Sequence, residues 1–349
     1  MADADGFCVV KGKKACKFRP HSNQPNTSKL TVKEDGSFNL QDFRRRLDSC
    51  IQEISKTQFF STNIEKIISS VLLISQNTTS SNSWERAKVQ EMSHHGLIPV
   101  DAKIHTTDSS SLTCTTSSNL HHQHHPVPEA IQTNSPDLDD VTTSVELLSL
   151  SDHQEDIQIL SYGIGSFLSC VTARYQLAFL LAIRKIFGER CKECCVYDPV
   201  FSNQEKLVLE SYNCQVISEN EEGKRECTKP TLAFLPHCGK ALYNNLLWRN
   251  LATNNSQGLS LLVLIGNSFS NILERTPKRV LSKTGNYLLQ LSPHMTEVQL
   301  DNTFTHKDIF NDLSIHYILG PQLAAALRCV GPHYEEPVYE GDDAEFIGK

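Results

Sequence analysis

Four short stretches of this chain combine residue types that close ligand binding would need: Tyr162-Gly163-Ile164-Gly165-Ser166, Asp198-Pro199-Val200-Phe201, Pro236-His237-Cys238-Gly239-Lys240 and Gly266-Asn267-Ser268-Phe269. Glycine lets backbone approach a ligand, and the N–H groups of a helix starting after the first stretch would face an anion. Asp198 could accept hydrogen bonds from a ribose, and Lys240 could contact an anionic group. Ser166, Asn267 and Ser268 would add polar atoms to the same crevice. His237 beside Cys238 suggests a thiolate–imidazole pair. Adjacent side chains on one loop point apart, however, and no cysteine-hydrolase signature surrounds them. The candidate ligand-binding set is therefore Gly163, Gly165, Ser166, Asp198, His237, Cys238, Lys240, Asn267 and Ser268, with no catalytic residue assigned and the cofactor left open.

Three patterns fall short of a known signature. Gly163 and Gly165 supply two positions of G-x-G-x-x-G, but the sixth is Leu168, and Asp198 follows Gly163 by 35 residues where about 20 is typical. Both glycines could simply make a tight strand-to-helix turn. Cys191, Cys194 and Cys195 form a C-x-x-C-C run, yet a structural zinc site wants four ligands, and no second pair with that spacing follows. His121, His122, His124 and His125 lie in a polar stretch that implies no rigid scaffold for a metal.

The elements that must position the four stretches follow from apolar periodicity. Segments 156–162, 195–197, 215–218, 231–235 and 260–265 read as strands, with 286–291 and 314–318 as the last two. Segments 167–187, 202–209, 240–249 and 322–329 read as helices. Ser202 and Glu205 form a capping box, and Gly188 stops the long helix. Strand and helix alternate, which predicts a Rossmann-like, doubly wound, mostly parallel α/β sheet with ligands at the carboxyl ends of its strands. Ahead of it, apolar residues at helical spacing from Leu40 to Leu72 predict two helices with a turn near Ser61 to Asn63; the pattern leaves open whether they pair with each other or pack on the sheet.

Hydrophobic residues make up 39% of the 349, enough for one core plus weakly ordered sequence. The expected organisation is a disordered arm over 1–38, a helical pair over 39–76 and a disordered Ser/Thr/His-rich linker over 77–149. The Rossmann-like domain follows over 150–330, and an acidic disordered tail over 331–349. Net charge is −7, and the basic cluster Lys11, Lys13, Lys14, Lys17 and Arg19 reads as a solvated arm, so no direct nucleic-acid binding is expected. Residues 1–20 contain no apolar run of the kind a secretory signal needs, and no apolar run could cross a membrane as a helix. A soluble intracellular protein is expected, with its twelve cysteines mostly reduced.

Taken together, Tyr162-Gly163-Ile164-Gly165-Ser166, Val196 to Phe201, Asn220 to Lys224, Leu235 to Lys240 with Leu242 to Trp248, and Ile265 to Phe269 resemble the ordered motif series of the sensitivity-to-red-light-reduced domain family. The resemblance covers residues 150 to 320. It implies a non-catalytic regulatory role in circadian rhythm, through clock-gene expression, and in heme biosynthesis. It also implies a cytoplasmic location, with the nucleus as an open second one, and protein partners or a small ligand of unknown identity. It carries no catalytic residue onto this chain, and its link to heme prompts one further expectation, heme sensing through His237 or Cys238, both of residue types that serve as axial ligands. The alternative is an enzyme using S-adenosylmethionine or NAD at the Gly163/Gly165 edge.

Overall fold

Strands β1 (Ile157–Tyr162), β4 (Thr231–Leu235) and β5 (Leu262–Asn267) are mostly apolar with almost every position buried, the pattern of parallel strands covered on both faces. Around them the computed structural model describes residues 38–79, 156–252, 256–331 and 334–339. The expected arm up to residue 37, the polar stretch with its four histidines, and the tail from 340 lie outside these. With β2 (Cys191–Tyr197), β3 (Gln215–Val216), β6 (Thr296–Gln299) and β7 (Leu313–Tyr317), the strands form one sheet in the order β3-β2-β1-β4-β5-β7-β6. Every pair from β3 to β5 is parallel, and β7 runs antiparallel to both its neighbours. The sheet is thus the expected Rossmann-like one, with its order reversing between β1 and β4.

Helices α1 (Leu40–Ser55) and α2 (Gln58–Thr79) precede the sheet, and they complete one of its faces. The break between them falls at Lys56 and Thr57, earlier than the expected turn at Ser61 to Asn63. The Thr57 hydroxyl donates to Ile54 O and accepts from the Phe60 N–H, a local bonding option that competes with continuing the helix. Downstream, α1 packs on α3 (Val171–Phe187) and α4 (Asn203–Ser211). Phe43 meets Phe167 at 6.0 Å between ring centroids, and the Tyr212 hydroxyl donates to Asp48 Oδ1 at 2.7 Å. Helix α2 buries Phe59, Phe60, Ile64, Ile67, Ile68, Val71 and Ile74, each contributing roughly 1.5–3 kcal/mol of transfer free energy. Phe59 stacks on Phe310 at 4.6 Å and meets Phe179 of α3 at 5.2 Å. Asn63, fully buried, donates to Asp301 O and accepts from Asp301 N, pinning α2 to the chain between β6 and β7.

The opposite face carries α5 (Lys240–Ala252), the short α6 (Gln257–Ser260), α7 (Phe269–Arg275), α8 (Lys278–Thr284), α9 (Asn286–Leu291) and α10 (Gly320–Val330). Segment 286–291, expected as a strand, is helical. Asn244 Oδ1 accepts the free N–H groups of Tyr287 and Leu288 at its start, and Tyr287, Leu288 and Leu291 go inward at helical spacing. Strand β6 escaped the sequence reading because none of its residues is fully buried.

Residues 334–339 belong to the stretch expected as a disordered tail, yet they lie bonded across this second face. Trp248 Nε1 donates to Tyr334 O, the Tyr287 hydroxyl donates to Glu335 O, and Lys224 pairs with Glu336. The Tyr339 hydroxyl is bracketed by Ala241 O and the Asn244 and Asn245 side chains.

Candidate functional site

Because β1, β2, β4 and β5 all run the same way, the loops that leave them share one rim of the sheet. Direct bonds confirm that the loops meet. Cys238 Sγ donates to Tyr162 O at 3.4 Å, Asn267 Nδ2 donates to Cys238 O at 3.1 Å, and Asp198 Oδ2 accepts from Gly165 N at 2.7 Å.

On the β1–β2 side, the glycines serve the turn itself. Gly163 and Gly165 have φ of +74° and +82°, the left-handed region that side chains disfavour. A Cβ on Gly163 would lie 2.5 Å from Cys238 Sγ, so the space glycine opens there is filled by the chain's own thiol. Asp198 accepts from both Gly165 N and Val200 N. Burial pushes its carboxyl up, against the pull of those two donors. The helix after this loop, α3, begins only at Val171 with no side chain capping its start, and in the intervening turn Leu168 N and Cys170 N already have acceptors within the protein. Glu205, almost fully buried, accepts from Leu168 N and Ser166 Oγ through one carboxylate oxygen. Its other oxygen accepts from Ser202 N and Ser202 Oγ. Those bonds outweigh its desolvation and hold it below the usual glutamate range. The capping box was legible in the sequence; that the same carboxylate grips the glycine loop 37 residues earlier was not.

On the β4–β5 side, His237 has φ +54° and an exposed ring whose Nε2 lies 3.1 Å from Ile309 O. Its neighbour Cys238 turns inward instead, where burial pushes its thiol far up. The two side chains therefore diverge, which removes the thiolate–imidazole pair. Lys240 opens α5. Ser268 accepts from Asn271 N to cap α7, so its hydroxyl is occupied as a helix cap. Asn267 ends β5; its N–H donates to the buried Tyr243 hydroxyl, while its Oδ1 is buried with no hydrogen-bond partner.

That oxygen has company. Beneath Asn267, His316 of β7 is fully buried, stacked on Phe269 at 3.7 Å, with Nε2 3.1 Å from Asn267 O. Burial, opposed by the facing Glu297, brings its pKa down to about 4. The ring is neutral near pH 7, Nε2 carries the proton toward the carbonyl, and Nδ1 presents a lone pair that nothing meets. Ser314 Oγ, two residues back on the same strand face, is likewise buried and unpartnered. Orphaned buried polar atoms are uncommon in folded proteins; Ser314 and His316 share one face of β7, while Asn267, paired with Leu313, ends the neighbouring β5.

Among the described residues no cluster of three or more metal-ligating side chains occurs, and no helix is long and apolar enough to cross a membrane. Cys191, Cys194 and Cys195 all belong to β2, rather than Cys195 alone with the others on the preceding loop.

Comparison with known proteins gives this rim its relatives. A mouse SRR1-like protein is 45% identical over 148 residues, 41% of this chain and 57% of the mouse protein. A Drosophila melanogaster SRR1-like protein is 33% identical over 159 residues, 46% of this chain and 54% of its own length. The Arabidopsis thaliana protein Sensitivity to Red Light Reduced 1 is 40% identical over 138 residues, covering 40% of this chain and 47% of that protein. The chain thus spans about half the length of the relatives it matches. Overlay on the 23S rRNA methyltransferase ErmE, with 13% identity and a TM-score of 0.28, covers 59% of this chain and 72% of that one; a score that low carries no argument. The SRR1 domain model matches residues 131–317, more than half of the sequence and all four rim loops, and the chain belongs to the SRR1 domain family.

Proposed function

We propose that this protein is a non-catalytic regulator that acts in circadian rhythm, through clock-gene expression, and in heme biosynthesis, and that it acts by binding a small ligand or a partner group at the carboxyl rim of its sheet. Family kinship supports the biological process, and the cytoplasm, with the nucleus as a second location, is the compartment proposed with it. The observation that carries the binding reading is the buried Asn267 Oδ1, an acceptor without a donor at the rim where the loops after β1, β4 and β5 meet. A ligand N–H or O–H would satisfy it. Binding is favoured over catalysis because the reactive groups nearby are already committed: Cys238 is buried as a thiol, and both oxygens of Asp198 hold backbone N–H groups.

Native mass spectrometry of the purified full chain tests this. The expected result is a copurifying small molecule that is lost in Asn267→Leu, together with failure of that variant to restore rhythm or heme synthesis in depleted cells. Full restoration by Asn267→Leu would overturn the proposal.

A second reading, a nucleotide-like cofactor such as S-adenosylmethionine or NAD at the Gly163/Gly165 edge, is favoured by the β3-β2-β1-β4-β5 order, which is that of a nucleotide-binding doubly wound sheet. Calorimetric titration with both compounds decides it, and silence from both ends it. The full chain is required, because a fragment starting at residue 150 would lack α1 and α2.

A further inference from the structure

The C-x-x-C-C run found no role in metal binding, but the fold gives it a partner. Cys194 lies in β2 and Cys214 immediately precedes β3, each one step ahead of the paired residues Cys195 and Gln215. Their sulfurs are 3.6 Å apart, both side chains buried and both thiols free. Arg184 of α3 bridges the same spot, donating to Tyr212 O and, at 3.9 Å, to Cys214 Sγ. We propose that Cys194 and Cys214 are a peroxide-sensitive dithiol that closes to a reversible disulfide.

The chemistry balances with hydrogen peroxide as the oxidant. Cys214, as the thiolate facing the guanidinium, attacks the peroxide; an S–O bond forms, the O–O bond breaks, and the departing hydroxide takes a proton to become water. The Cys194 thiol then loses its proton and its sulfur attacks the Cys214 sulfenic acid, forming S–S and releasing a second water. Two thiols lose two electrons in total, and one peroxide is reduced to two waters. A thiol such as glutathione reverses the step by exchange.

The two sulfurs differ as this requires. The hydrogen bond with Cys194, then the Arg184 charge, outweigh burial and hold the Cys214 thiol below its ordinary range, while the same bond and burial push Cys194 up. In the reduced pair Cys214 Sγ donates to Cys194 Sγ; once Cys214 ionises beside the guanidinium, the Cys194 thiol becomes the donor. Cys191, also near Arg184, donates to Glu193 O and is pushed up by burial. Closure needs the sulfurs to approach to about 2.05 Å. Cys214 has room to move because β3 is an edge strand only two residues long, entered through Asn213 at φ +55°.

The test is peroxide treatment of the full chain, followed by denaturing alkylation and peptide mapping. The expected product is a Cys194–Cys214 cross-link, forming about tenfold faster than oxidation of the buried Cys227, whose thiol is pushed up to about 12, and reversed by glutathione. In Cys194→Ser, Cys214 should stop as a sulfenic acid that dimedone traps; in Cys214→Ser, Cys194 should stay reduced. Wild-type mapping decides the matter even if a variant misfolds. Cross-linking of Cys191 to Cys214 instead, or full recovery of Cys194 and Cys214 after the exposed Cys170 and Cys329 have oxidised, would overturn the proposal.

Discussion

The two halves of the rim treat their polar atoms in opposite ways. On the β1–β2 half, each acceptor with the look of a ligand contact is filled from within: Asp198 takes two N–H groups and Glu205 takes four donors. On the β5–β7 half, Asn267 Oδ1, Ser314 Oγ and His316 Nδ1 are buried with nothing to bond. Glycines and a carboxylate are conspicuous in a sequence, so attention falls on the first half. The unmet hydrogen-bonding capacity lies in the second. A turn that satisfies itself is rigid and costly to alter, whereas orphaned acceptors are tolerated only where something offsets their desolvation.

The sharpest way to break this contrast is at Gly163. Gly163→Ala puts a methyl against Cys238 Sγ and a side chain into left-handed backbone, and the sum of overpacking and backbone strain should cost about 4 kcal/mol. Urea denaturation of Gly163→Ala and of Gly163→Ala/Cys238→Ala separates the two causes: the double variant should regain the packing part alone. Equal stability of Gly163→Ala and wild type would mean that the glycine loop is open after all.

His316 probes the other half through pH. Its folded value of about 4 lies below the ordinary 6.5, so between these limits the unfolded chain binds more protons than the folded one. Its contribution is fully present above about pH 6.5 and is lost as pH falls toward 4, a change of roughly 3 kcal/mol. Urea midpoints measured at about pH 7.5 and about pH 4.5 should therefore converge in His316→Gln relative to wild type. Parallel pH profiles for the two proteins would show that the ring is not buried neutral.

The smallest effect on stability belongs to Asn267. Asn267→Ala loses the bond to Cys238 O but also removes an unmet buried acceptor, and the two nearly cancel, leaving a change within about 1 kcal/mol. A thermal unfolding series on the protein without added ligand checks this. A loss as large as that of Gly163→Ala would make Asn267 a structural residue like those across the rim.

Much of this arrangement was legible beforehand. Continuous apolar runs such as 260–265 announced buried parallel strands, and Ser202 with Glu205 announced a helix start, because burial and capping act over a few residues. Less was legible where partners are distant. Segment 286–291 looked like a strand because its apolar residues alone cannot show that Asn244, more than forty positions earlier, caps them as a helix. Tyr334 to Tyr339 looked like a solvated acidic tail because their partners, Trp248, Tyr287, Lys224 and the Asn244–Asn245 pair, lie on other elements.

By itself, then, the sequence determined the alternation of strands and helices, the common edge on which Gly165, Asp198, His237 and Asn267 emerge, and the kinship of the chain. These depend on local periodicity and on the constraint that parallel strands impose on their loops. Only the tertiary structure decided that α1 and α2 cover one face of the sheet, that Cys238 fills the space beside Gly163, and that Cys194 faces Cys214. Those outcomes turn on whether an atom meets a partner from a remote part of the chain or meets none, and distance along a sequence carries no record of that.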